Sequence, residues 1–203
     1  MKRPESRVVR LKRINEASEN ALPALTIARC RDLLEDYPQD PTAWMFLGMA
    51  LTELARFDEA EEALENAIVH CAPGARWSML SEMGHMHKAK GAFKQAERYF
   101  RKVIAEVPDE ATGYTFLGDI LFYQGRLGES EGVFRRGTTC REGCMYEAYH
   151  NLGVALRAEE RLVEAAECFA HVLEIKPDYE PAQDALRDVR AAIAFQRKKG
   201  SSA

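Results

Sequence analysis

Apolar residues recur along this chain at spacings of three and four, with Gly or Pro breaking the pattern at intervals. That period marks amphipathic helices that bury one face each. It predicts a first helix over 7–18 with Val8, Leu11 and Ile14 inward. A second starts at Pro23 and stops near Tyr37-Pro38, carrying Ile27, Cys30, Leu33 and Leu34. Asp40-Pro41 supplies an N-cap and a first-turn proline for a third. Further helices are expected at about 58–71, 77–90, 93–106, 111–124, 127–140, 145–158 and 161–174, and from Asp178 to about Lys198. A period-two run long enough for a half-buried strand is absent.

The pattern repeats. Leu47-Gly48, Met83-Gly84, Leu117-Gly118 and Leu152-Gly153 stand 36, 34 and 35 residues apart. Three before each Leu or Met comes Trp44, Leu80, Tyr114 or Tyr149. Twelve after each Gly comes Ala60, Ala96, Ser130 or Ala165, and four further on Leu64, Phe100, Phe134 or Phe169. A helix-interior Gly costs roughly 1 kcal/mol against Ala, so four in register need a packing reason. The expected reason is close approach of the Gly to the Ala or Ser of the second helix. Gly91 and Gly125 are placed to end first helices in left-handed caps, while Glu160 holds that position in the last full unit. The connection Cys71-Ala72-Pro73-Gly74-Ala75-Arg76 accounts for the 36-residue interval.

This constellation resembles the tetratricopeptide repeat family, whose unit is a helix-turn-helix of about 34 residues. The resemblance implies an all-α fold, a right-handed superhelical solenoid of such repeats with a C-terminal capping helix. The expected layout is one domain over 7–198. It comprises a degenerate first repeat at 7–38, full repeats at 41–73, 77–108, 111–144 and 145–177, and a capping helix at 178–198. Residues 1–6 and 199–203 are expected to be disordered tails. In the cap, Ala182, Leu186, Val189 and Ile193 are expected to cover the last repeat, and Phe195 either to finish it or to dock on a partner.

In this family the first helix of each unit lines a concave groove. The groove residues implied here are Met45, Met49 and Glu53, then Glu82, His85 and Lys88, then Thr115, Asp119, Phe122 and Tyr123, then His150, Asn151 and Arg157. Phe46 and Phe116 fit either the groove or the packing between repeats. The surface is mixed, with apolar ends around Met45, Phe46, Met49 and Phe116, Phe122, Tyr123. It suits an amphipathic helix or an extended apolar peptide. Family members that hold acidic chaperone tails use a carboxylate clamp of Lys, Asn and Arg. At the corresponding positions stand Met45 and Met49, Glu82, Thr112 and Phe116, or one repeat on Ser81 and His85, Phe116, Glu147 and Asn151. Neither set supplies the cations, so no binding to heat-shock chaperone tails is expected.

Charge adds one alternative. Residues 1–13 hold six basic side chains against one Glu, and residues 197–199 add three. The remainder is net −12 within a total of −4. A basic arm of this kind can recruit nucleic acid or an anionic membrane surface, although no aromatic residues interleave with it. Two further readings are a secretion-type chaperone and self-association through the end helices. The longest apolar run, Ala43 to Leu51, is far short of the roughly 18 residues a membrane span needs. The charged N-terminus lacks a signal-peptide core, so a cytoplasmic protein is expected.

The chemistry-bearing residues point away from catalysis. No metalloprotease, phosphate-loop or nucleophile-elbow motif is present. His85 and His87 are two apart on a helix and cannot share a metal; His87 is expected inward. Five cysteines are an odd number for a disulfide framework. Cys140 and Cys144 form the one close pair, with His150 six residues on, and no fourth ligand is near for a metal. A non-catalytic adaptor or scaffold without cofactor or metal is the expected function.

Overall fold

A computed structural model describes residues 5–200, and the described residues are helical apart from turns, one 3-10 turn and a single bridge. Met1–Pro4 and Ser201–Ala203, on which parts of the expected tails fall, lie outside the described residues. Two compact units follow one another, the first through Val103 and the second from Ile104.

The first unit contains α1 (Arg7–Glu19), α2 (Pro23–Asp36), α3 (Pro41–Glu53), α4 (Phe57–His70), α5 (Arg76–Ala89) and most of α6 (Phe93–Glu106). Sequential helices pack on each other, α1 on α2, α2 on α3, α3 on α4 and α4 on α5. Asp40 caps α3 by accepting from the Ala43 amide at 2.9 Å, and Arg7 pairs with the same buried carboxylate. Ile14, Ile27, Cys30, Leu33, Leu47, Leu51, Leu64, Met83 and Met86 form its continuous core. Val8 is not part of it, being 71% exposed. The buried stripe of α1 runs through Ile14 and Ala17, and Val8 lies six residues from Ile14, about 120° around the helix. Glu5, within the stretch expected to be disordered, accepts from Arg13 at 2.6 Å. A 3-10 turn at Pro73–Ala75 takes up the long connection between α4 and α5.

The second unit holds the end of α6, α7 (Ala111–Tyr123), α8 (Leu127–Gly137), α9 (Met145–Ala158), α10 (Leu162–Ile175) and α11 (Glu180–Gly200). Its larger core joins Phe134, Leu152, Leu156, Phe169 and Val172 to Ala182, Leu186 and Val189 of α11, with Ile193 packed alongside. Phe195 takes no part in the cap and is 68% exposed, because α11 continues beyond the core residues of α10.

Five connections between paired helices share a left-handed residue: Ala21, Ala55, Gly91, Gly125 and Glu160. After three of them an Arg reaches three residues on to a Glu in the first turn of the next helix. Arg56–Glu59, Arg126–Glu129 and Arg161–Glu164 each close at 2.6 Å. A carboxylate there also favours the positive end of the helix dipole.

The repeated glycines approach the second helix as expected, a Cβ on Gly48 lying 3.3 Å from the Ala60 carbonyl, and they also make room for a larger neighbour. A Cβ on Gly118 would stand 2.3 Å from the Phe134 ring, and on Gly48, Gly84 and Gly153 it would run into Leu64, Phe100 and Phe169. Each Gly is thus a socket for the large residue sixteen positions later. Ser130 contributes separately, its hydroxyl donating to the Gly118 carbonyl at 2.8 Å.

α8 stops at Gly137, three residues before the expected end. The chain then turns so that the Arg141 and Glu142 amides donate to the Asp109 carbonyl, at 3.0 and 3.1 Å. The Ala111 amide donates to Glu142 at 3.0 Å, forming the bridge between Glu110 and Glu142. Gly143 closes this crossing at φ +82°, where a Cβ would meet Glu110 Oε1 at 1.9 Å. Gly143→Ala therefore combines left-handed strain with a clash. A loss of about 2 kcal/mol is expected from urea unfolding, against a gain of up to about 1 kcal/mol for Gly128→Ala, a helix position whose added methyl meets open space.

Candidate partner-binding faces

The first helices of the units present the candidate surfaces. In the first unit α3 packs beside α5. Met45 and Met49 are half-buried and Glu53 is exposed on α3, while Phe46 packs against the core. On α5, Glu82, His85 and Lys88 sit at successive three-residue steps and are all half-buried. The His85 ring packs edge-on to Phe100, centroids 5.4 Å apart. Burial pushes the Glu82 carboxyl up to about 7. Burial, with help from the Lys88 charge, pushes His85 down to about 4. At neutral pH this face therefore carries a Glu poised between its two forms beside a neutral imidazole.

The Glu82 shift has a consequence for stability. Its folded pKa lies above the unfolded one, so its contribution is full below about pH 4.5 and is lost as pH rises through 7. Glu82→Gln is expected to gain on the order of 2 kcal/mol over wild type at pH 8 and little at pH 4.5. Paired urea titrations check this. His85 acts in the opposite sense, its contribution being lost as pH falls below 6.5 through about 4, and it is present in both proteins.

In the second unit the expected residues converge more tightly. Asn151 Nδ2 on α9 donates to Asp119 Oδ1 on α7 at 2.9 Å, and His150 Nδ1 lies 3.2 Å from Asn151 Oδ1. Asp119, Phe122, Tyr123, His150, Asn151 and Val154 line a cavity of about 270 Å³ floored by Phe134. Tyr123 is 66% exposed and meets the Phe122 ring edge-on at 6.4 Å. Arg157 is exposed and falls outside that lining. Thr115 departs from the expected surface. It is buried, its hydroxyl donating to the Ala111 carbonyl of its own helix at 3.1 Å.

Tyr179 was not among the expected surface residues. It meets Tyr146 at 5.3 Å and His150 at 5.5 Å, both edge-on, with the Lys176 ammonium 5.4 Å from its ring. Its one sequence signal is an aromatic two residues after the closing Pro177. The basic arm is occupied elsewhere. Arg10 pairs with Asp32 and Asp36 at 2.8 and 2.6 Å, Arg7 with Asp40, and Arg13 with Glu5; Lys2 and Arg3 lie outside the described residues. All five cysteines are free thiols, Cys140 buried and Cys144 exposed. Among the described residues no cluster of metal-ligating side chains forms, and no helix is long and apolar enough to cross a membrane.

Comparison with known proteins agrees with this architecture. Tetratricopeptide repeat models match residues 15–76, 82–143 and 146–179. A protein CTR9 homolog of Arabidopsis thaliana is 27% identical over 119 residues, covering 58% of this chain and 11% of that protein, so the chain spans about a tenth of its length. The C-terminal part of a TPR repeat-containing protein from Cytophaga hutchinsonii superposes with a TM-score of 0.70 at 18% identity, over 94% of this chain and 74% of that one. The first TPR of Spaghetti (RPAP3), solved with the HSP90 peptide SRMEEVD, superposes with a TM-score of 0.55 at 22% identity, over 60% of this chain and 95% of that one. The repeated Gly sockets, the paired helices and the family match over more than half its length place this chain in the tetratricopeptide repeat family.

Proposed function

We propose that this protein is a non-catalytic adaptor that holds a peptide segment or helix of a partner protein on the first-helix faces of its repeats. The observation that carries the reading is the cavity beside exposed Tyr123, where an Asn–Asp hydrogen bond sits among Phe122, Phe134 and Val154. An apolar side chain of the partner fits between those rings. A backbone amide or carbonyl next to it fits the polar pair, the combination expected of peptide recognition. Met45 and Met49 offer a second, adaptable apolar contact in the first unit.

Acidic chaperone tails are not the expected ligand. The clamp positions hold Met45, Met49, Thr112 and Phe116 instead of cations, and a half-ionised Glu82 adds no attraction for a carboxylate. Isothermal titration with a peptide ending in Glu-Glu-Val-Asp is expected to show no binding. A micromolar affinity would overturn this exclusion. Recruitment through the basic arm is less favoured, since Arg7, Arg10 and Arg13 already have carboxylate partners.

Asp119→Ala and Tyr123→Glu, each checked by circular dichroism, test the adaptor reading. Both are expected to lose the partner that wild type captures, and retention by both would move the site away from the first helices.

A further inference from the structure

Two residues beyond His85, about 200° around α5, His87 belongs to a different surface. It is 6% exposed, and its Nδ1 has no hydrogen-bond partner. Its ring stacks on Tyr99 of α6 at 5.2 Å with a 20° tilt, and its Nε2 lies 3.8 Å from Glu61 Oε1 of α4. A cavity of about 660 Å³ opens here, lined by His87, Glu61, Lys90 and the α6 residues Arg98, Tyr99, Arg101 and Lys102.

Four cations and one carboxylate converge in that lining, although the chain as a whole is net −4. Arg98, Arg101 and Lys102 are three and four apart, so α6 presents them together. Two of the four have carboxylate partners and two do not. Arg101 pairs with Glu97 at 2.6 Å. Lys90 reaches Asp58 at 3.3 Å, but that carboxylate is 97% exposed and the pair is screened by water. Lys102 sits 4.7 Å over the Tyr99 ring, and Arg98 has no ion-pair partner among the described residues. All four cations are exposed, and those without a carboxylate, Arg98 and Lys102, are stabilised by an anion that several donors can share.

We propose that this cavity binds a compact polyanion of the oligophosphate class. Its volume exceeds what one tetrahedral oxyanion fills, and four cations in one lining can share several phosphate groups. The Tyr99 ring is already engaged by His87 and Lys102, so recognition falls on charge and hydrogen bonding. This site is independent of the first-helix faces that bind the partner peptide.

Isothermal titration of the full chain with inorganic tripolyphosphate at about 150 mM salt tests the proposal, since weak surface attraction is largely screened there. Saturable binding is expected. It should weaken about tenfold or more in Arg98→Glu and, should that variant misfold, in Arg98→Gln, as loss of a charge-assisted contact implies. It should be unchanged in Arg190→Glu, on the exposed face of α11. The His87 imidazole resonances should shift during the titration. A nucleoside triphosphate in a second arm identifies the source: equal affinity means that the phosphates alone are read, and tighter binding means that a nucleotide is preferred. Absence of binding in both arms, or binding undiminished in the Arg98 variants, overturns the proposal.

Discussion

Phe134→Ala is expected to destabilise the protein by about 3–5 kcal/mol, the range for a buried aromatic truncated in a core that collapses only partly. Phe134 is buried, joins the core shared by α8, α9 and α10, and fills the socket left by Gly118. Gly118→Ala approaches the same contact from the other side. The methyl gains about 1 kcal/mol in helix propensity but stands 2.3 Å from the ring. The clash is expected to outweigh the gain and leave a net loss of about 1–3 kcal/mol. The two changes share one contact, so they should not add. With the ring gone the methyl has room, and the double variant is expected to be no less stable than Phe134→Ala alone. Urea unfolding of all four proteins measures the coupling. Strict additivity would mean that the socket is not why the glycine is there.

The second large effect concerns the partner. Tyr123→Ala is expected to lower affinity by about 30-fold or more, equivalent to roughly 2 kcal/mol, as for a central aromatic anchor. The exposed ring contributes little to the fold, so unfolding should shift by less than about 0.5 kcal/mol. Arg157→Ala, outside the cavity lining, should change affinity far less. Calorimetry with the captured partner, beside thermal unfolding of each variant, separates binding from stability.

The repeat was legible because its determinants are local. A Gly, a large apolar residue sixteen positions on and a Pro near the end of the unit all lie within one stretch of chain. The places where expectation and structure part are set by distant groups. The end of α8 is decided by the Asp109 carbonyl and by Glu110 beside Gly143, a crossing between two connections that no periodicity encodes. Thr115, Met45 and His150 all stand two before the Leu of their units, so periodicity alone puts them on one face. Ser81 and Thr115 are short and stay buried in that position, whereas Met45 and His150 are long enough to reach the surface. Tyr179 and the cavity around His87 depend on side chains from separate helices and connections. They become visible only once those elements are packed.

The adaptor function depends most directly on which helices meet the partner. An aromatic photo-crosslinking residue placed at Tyr123 on α7, where it keeps a ring, and in separate proteins at Val163 on α10 and Val69 on α4, reads this in one experiment. All three positions are more than half exposed, so access is comparable. Binding on the first helices predicts a crosslinked partner at position 123 that is absent from 163 and 69. Crosslinking at 163 or 69 with none at 123 would contradict it and put the partner on the second helices.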